Sequence, residues 1–121
     1  MASIMVVDDS PTDVANLKSI LTKAGYTVLE CNSGDDAIQR VRQEKPSCVI
    51  MDVVMPGTNG FQATRTLSKD PATAHIPIVV VSSKNQETDR VWAMRQGAKE
   101  YLVKPVKEAD LIAKVKSVLG A

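Results

Sequence analysis

Aromatic side chains are scarce in this chain, with one Trp, one Phe and two Tyr among 121 residues. Any core it builds must therefore be aliphatic, drawn from Val, Ile, Leu, Ala and Met. An excess of either charge is missing too, since fifteen Lys and Arg face fourteen Asp and Glu for a formal net charge of +1. That balance gives no electrostatic case for nucleic acid or an anionic membrane as a partner. No apolar run approaches the ~20 residues of a membrane span. The N-terminus reaches Asp8 after only four consecutive apolar residues, so no signal peptide is expected either. These absences predict a cytoplasmic protein without membrane insertion. The only two cysteines, Cys31 and Cys48, fall in separate strand candidates, poor geometry for a bridge, and read as buried thiols. His75, the only histidine, precedes Ile76-Pro77 in a loop and reads as solvated.

What the chain does have is aspartate at the ends of apolar runs. Asp8 and Asp9 close Ile4-Met5-Val6-Val7, and Asp52 closes Cys48-Val49-Ile50-Met51. Taken alone, an Asp-Asp pair after a strand is ordinary loop or capping chemistry. Ser82 and Lys104 end two later apolar runs in the same way, and that repetition points to one site. Carboxylates crowded on one sheet edge repel each other and shift one another's pKa, which implies a bound cation. Hard oxygen ligands suit Mg2+, which takes one or two protein carboxylates, keeps several waters and leaves room for phosphate oxygens. The pattern points to phosphoryl chemistry.

Between these runs the periodicity alternates. Ser10-Pro11 with Asp13 is a helix start, followed by a Val14, Leu17, Ile20, Leu21 stripe that Gly25 stops. Thr27 to Cys31 reads as a strand, Ser33 caps a helix carrying Ala37, Ile38 and Val41, and Cys48 to Asp52 is the third strand. A loop from Val53 to Asn59 leads to a helix opened by Gly60 with Phe61, Thr64 and Leu67. Asp70 to His75 is irregular, Ile78 to Val81 is a strand, Thr88 to Gln96 a helix and Tyr101 to Val103 a short strand. The last helix carries Leu111, Ile112, Val115 and Leu119. Alternating strands and helices predict an α/β fold, a doubly wound parallel sheet covered on both faces. In such sheets ligands gather at the carboxyl ends of the strands, where Asp8, Asp9, Asp52, Ser82 and Lys104 all fall.

Val6-Val7-Asp8-Asp9-Ser10, Met51-Asp52-Val53-Val54-Met55-Pro56-Gly57 with Gly60, Gly97-Ala98, and Tyr101-Leu102-Val103-Lys104-Pro105 together resemble the receiver domain of two-component response regulators, over essentially the whole chain. Gln86 to Trp92, Arg95 to Ala98 and Gly60 to Arg65 are most similar to the PilH-type receivers of chemosensory systems that control type IV pili and twitching motility. The resemblance implies a flavodoxin-like (βα)5 fold of strand order 2-1-3-4-5, the order for which a chemotaxis receiver is itself a standard example. It also implies one receiver domain over residues 1–121, with no residues after Gly120 and Ala121 for an output module.

Roles follow residue by residue from the resemblance. Asp52 is the expected nucleophile, attacking a phosphohistidine to form an aspartyl phosphate. Mg2+ is expected on Asp9, Asp52, Asp8 directly or through water, and the backbone carbonyl of Val54. Lys104 would set its ammonium, and Ser82 its hydroxyl, against the phosphoryl oxygens. Tyr101 is expected to move inward when Ser82 shifts toward the phosphate, and the Lys104-Pro105 peptide is expected to be cis. Val54 and Lys84, two positions after Asp52 and Ser82, would tune access of the attacking water. The implied partners are a chemosensory histidine kinase as phosphodonor and a target protein on the surface near Thr88, Tyr101 and Leu111, with the receiver monomeric. Trp92 fits a helix packing residue first and a partner contact second. Two other classes remain: a haloacid dehalogenase-type phosphatase, whose first strand should end Asp-x-Asp where this chain has Asp8-Asp9-Ser10, and a docking module that is never phosphorylated, which would have lost one of Asp9, Asp52 or Lys104.

Overall fold

The computed structural model describes residues 2–120, so the two terminal residues of the expected domain lie outside the described residues. Five strands alternate with five helices: β1 Ser3–Val7, α1 Pro11–Lys23, β2 Thr27–Cys31, α2 Gly34–Glu44, β3 Cys48–Met51, α3 Gly60–Lys69, β4 Ile78–Ser82, α4 Glu87–Arg95, β5 Glu100–Val103 and α5 Glu108–Leu119. The strands form one parallel sheet of order β2-β1-β3-β4-β5, as expected.

The central strands are continuously apolar because both of their faces are covered. Alternate residues pack against different helices. Met5, Val7, Val49, Met51, Ile78 and Val80 face a core completed by Ala37 and Val41 of α2, Ala63 and Leu67 of α3 and Ala93 of α4. Ile4, Val6, Ile50, Val79 and Val81 face the opposite core, with Val14, Leu17, Ile20 and Leu21 of α1 and Leu111 and Val115 of α5. Cys31 belongs to the first core and Cys48 to the second, so the sheet separates the two free thiols. Burial pushes the Cys48 thiol up to about 12, and Cys31 is raised for the same reason.

The starts of α1, α2 and α3 are chemically specified. Ser10 Oγ accepts the Asp13 N–H at 3.3 Å ahead of Pro11, and Ser33 Oγ accepts that of Asp36 at 3.1 Å. Asn59 and Gln62 exchange reciprocal bonds at the start of α3. His75 is exposed in its loop. Leu111, expected near an output surface, is fully buried, because the apolar stripe of α5 turns toward the sheet. Trp92 is 49% exposed instead of packed, with Val91, Met94 and Val103 also open to solvent.

Candidate functional site

The sheet's hydrogen bonding runs one residue past three strands and thereby fixes the polar residues beyond them. Asp8 N–H donates to the Cys31 carbonyl at 3.0 Å, Asp52 N–H to that of Val7 at 2.9 Å and Lys104 N–H to that of Ser82 at 2.8 Å. Asp52 therefore lies just after β3 instead of within it. Ser82, the last residue of β4, is fully buried, and its hydroxyl accepts the Lys84 N–H at 3.2 Å.

Asp8, Asp9 and Asp52 each bring a carboxylate oxygen within 4.8 Å of the others. Asp8 and Asp52 are buried and Asp9 is exposed, so the cluster opens to solvent on the Asp9 side. A cleft of about 550 Å³ adjoins it, running past Pro11, Val14, Lys18, Cys31 and Arg40. Three oxygen donors converging at a solvent-facing edge match a small hard cation that retains water. The Lys104-Pro105 peptide is cis.

Lys104 reaches back across this cluster. Its Nζ lies 2.8 Å from Asp8 Oδ2, 2.9 Å from Asp13 Oδ2 and 3.3 Å from Asp52 Oδ1. Asp8 uses its other oxygen to accept the Ser10 N–H at 2.9 Å. Burial works against the Lys104 ammonium, yet its bonds to Asp8 and Asp13 prevail and hold its pKa above the usual lysine range. For Asp52 the balance goes the other way. Burial first and repulsion from Asp8 second push its carboxyl up to about 6, against the pull of Lys104.

Three further features position these groups. Gly60 N–H donates to the Val53 carbonyl at 2.9 Å, and a Cβ at position 60 would collide with the Asp52 carbonyl and the Val53 backbone. The start of α3 can thus press against the backbone of Asp52 only because residue 60 is glycine. Val54 is 59% exposed above the site. On the far side the Tyr101 hydroxyl donates to the Lys84 carbonyl at 2.7 Å while its half-buried ring packs on the core of α2, α3 and α4.

The structure thus gathers Asp8, Asp9, Asp52 and Lys104 into one contact set, with Ser82 ending the neighbouring strand β4. Sequence reasoning missed Asp13 as a member. It reads there only as a first-turn acidic residue of α1, and its bond to Lys104 spans 91 positions. Gly60 was legible as a helix opener, but its approach to Asp52 was not.

Among the described residues no helix is long and apolar enough to cross a membrane. Over 120 residues the chain is 53% identical to Protein PilH of Pseudomonas aeruginosa, covering 99% of each. The receiver domain of sensor histidine kinase PA1611 from the same organism, whose crystal structure has a magnesium ion coordinated in its active site cleft, superposes with a TM-score of 0.91 at 25% identity over 99% of this chain and 98% of that one. Chemotaxis protein CheY4 of Vibrio cholerae superposes at 0.90 with 25% identity, covering 98% of both chains. Receiver domains are signalling modules that take phosphoryl groups from histidine kinases and bind Mg2+ at an acidic pocket. With the response regulator receiver domain family matching residues 4–116, the chain belongs to that family.

Proposed function

We propose that this chain is a phosphoacceptor that receives a phosphoryl group on Asp52 from the histidine kinase of a chemosensory system. The observation that carries the reading is the convergence of Asp8, Asp9 and Asp52 oxygens within 4.8 Å beside a lysine ammonium. An Asp52 oxygen attacks phosphorus in line, forming an O–P bond as the P–N bond to phosphohistidine breaks, and the imidazole leaves with its nitrogen lone pair. Asp8, Asp9, Asp52 and the Val54 carbonyl would hold Mg2+, which when bound offsets the charge on the carboxylate and the phosphoryl oxygens. Lys104 donates to the phosphoryl group as a compact cation, and Ser82 turns its hydroxyl from the Lys84 N–H toward it. Val54 offers the attacking water of the reverse, hydrolytic step no polar group, while Lys84 screens charge at the rim.

The signal is a population shift. Moving from about 1:99 to 99:1 needs roughly 5.5 kcal/mol of differential binding, and a phosphoryl group of about −2 charge bonded to Lys104 and Ser82 supplies much of it. Release of the Lys84 loop lets Tyr101 turn inward and changes the face presented by α4 and β5. Thr88, Val91, Trp92 and Val103 offer that face to a target protein, with Leu111 acting from beneath. Extensive identity to PilH supports a cytoplasmic role in type IV pilus or twitching control, by protein docking or by draining phosphate from a shared kinase, as a monomer. The phosphatase alternative gains no support, because the first strand runs into Asp8-Asp9-Ser10 and lacks the Asp-x-Asp ending that reading needs. The docking-only alternative is disfavoured by the full retention of Asp9, Asp52 and Lys104.

Incubation with Mg2+ and acetyl phosphate, followed by intact-mass measurement, tests the reading. Wild type gains one phosphoryl mass and Asp52→Asn gains none; equal labelling of both would sink it.

A further inference from the structure

The Lys104 ammonium has three hydrogens, and the structure offers them three carboxylates. Two are expected from the acidic cluster. The third, Asp13 at 2.9 Å, belongs to neither the cluster nor the phosphoryl chemistry. It projects from the first turn of α1, where Pro11 and the Ser10 cap on the Asp13 N–H fix the backbone. Asp8 and Asp13 make the two shorter bonds to Nζ, and Asp52 lies farther off at 3.3 Å. Lys104 is therefore drawn toward β1 and α1 more strongly than toward Asp52.

We propose that Asp13 is a positioning residue that competes with the phosphoryl group for Lys104 and so limits how firmly the phosphorylated state is held. The inference rests on the phosphoacceptor reading. A phosphoryl group on Asp52 presents three acceptor oxygens to the same ammonium. Asp13 keeps one of the three N–H donors occupied on the helix side, and the group must either forgo that donor or break the pair. The Asp13 side chain is 42% exposed, so the competition has the size of a half-solvated charge pair and not of a buried one. Removing it shifts the balance toward the phosphoryl group by a modest factor, roughly two- to fivefold, without touching the nucleophile.

The test compares wild type, Asp13→Asn, Asp13→Glu, Lys104→Ala and the Asp13→Asn/Lys104→Ala double variant. The readouts are affinity for beryllofluoride in saturating Mg2+, by calorimetry, and phosphoryl gain and decay with acetyl phosphate, by intact mass. The expected result is tighter beryllofluoride binding and slower phosphoryl loss in Asp13→Asn, by roughly two- to fivefold, and return toward wild type in Asp13→Glu, which restores the charge. In the Lys104→Ala background Asp13→Asn should change neither quantity. Wild-type labelling with no Asp13→Asn effect would overturn the inference while leaving the phosphoacceptor reading intact. An equal effect with and without Lys104 would also overturn it, because the carboxylate would then act through its long-range charge alone. Failure of wild type to label or to bind beryllofluoride would remove both.

Discussion

Asp52→Asn should stabilise the metal-free protein, and the gain should depend on pH in a defined way. A rise of the Asp52 carboxyl from 3.8 to about 6 corresponds to about 3 kcal/mol at 1.36 kcal/mol per pH unit. Solvent reaches the site from the Asp9 side, and screening reduces the effect to about 1–2 kcal/mol. The folded state holds this proton more tightly than the unfolded chain does. Wild type therefore loses stability relative to the variant as pH rises from about 4 to about 6, and the gap is flat above that window. Urea unfolding of both proteins in chelator from pH 3.5 to pH 8 measures the difference, with titrations remote from the site cancelling between them. Adding Mg2+ at tenfold over its dissociation constant should return about 1.4 kcal/mol to wild type and nothing comparable to the variant. A gap that does not change with pH, or a variant less stable than wild type at pH 8, would refute the claim that burial and Asp8 crowd a charged Asp52.

Three other substitutions probe different parts of the site. Asp9→Ala should leave the fold intact, since the side chain is exposed, but should abolish stabilisation by Mg2+ in thermal melts and the metal-dependent gain of phosphate. Gly60→Ala should cost about 1–3 kcal/mol in urea unfolding and slow phosphorylation as well, because the added Cβ displaces the Asp52 backbone; an unchanged labelling rate would separate the two. Lys104→Ala should retain some labelling of Asp52 yet lose the beryllofluoride-induced change in amide hydrogen exchange from Thr88 to Leu119. An equal change in that variant would move the relay away from Ser82, Tyr101 and Lys104.

The parallel sheet was legible because Ile4 to Val7, Cys48 to Met51 and Ile78 to Val81 are apolar without interruption, as double-sided burial requires. Helix starts were legible at Ser10 and Ser33, where a hydroxyl caps its own turn, whereas Asn59 read as loop and its exchange with Gln62 emerged only in the structure. Boundaries moved by one residue where strand-type hydrogen bonding outlasts the strand, as at Asp52. The carboxylates and Lys104 could be collected from the rule that such sheets bind ligands at their carboxyl edge. Asp13 could not, because its place depends on how far the residues after β5 bring a lysine over α1. Trp92 was misjudged for a related reason. Periodicity shows that a helix has an apolar stripe, but the packing of the whole layer decides which residues outside the stripe stay covered.

The most direct test of the central claim is to locate the phosphoryl group itself. Protein treated with Mg2+ and acetyl phosphate is reduced with borohydride, which converts an aspartyl phosphate to homoserine, and the peptides are sequenced by mass spectrometry. The account predicts homoserine at position 52 and at neither Asp8 nor Asp9. Homoserine at Asp8, or none at any aspartate in a sample whose intact mass shows phosphate, would contradict it.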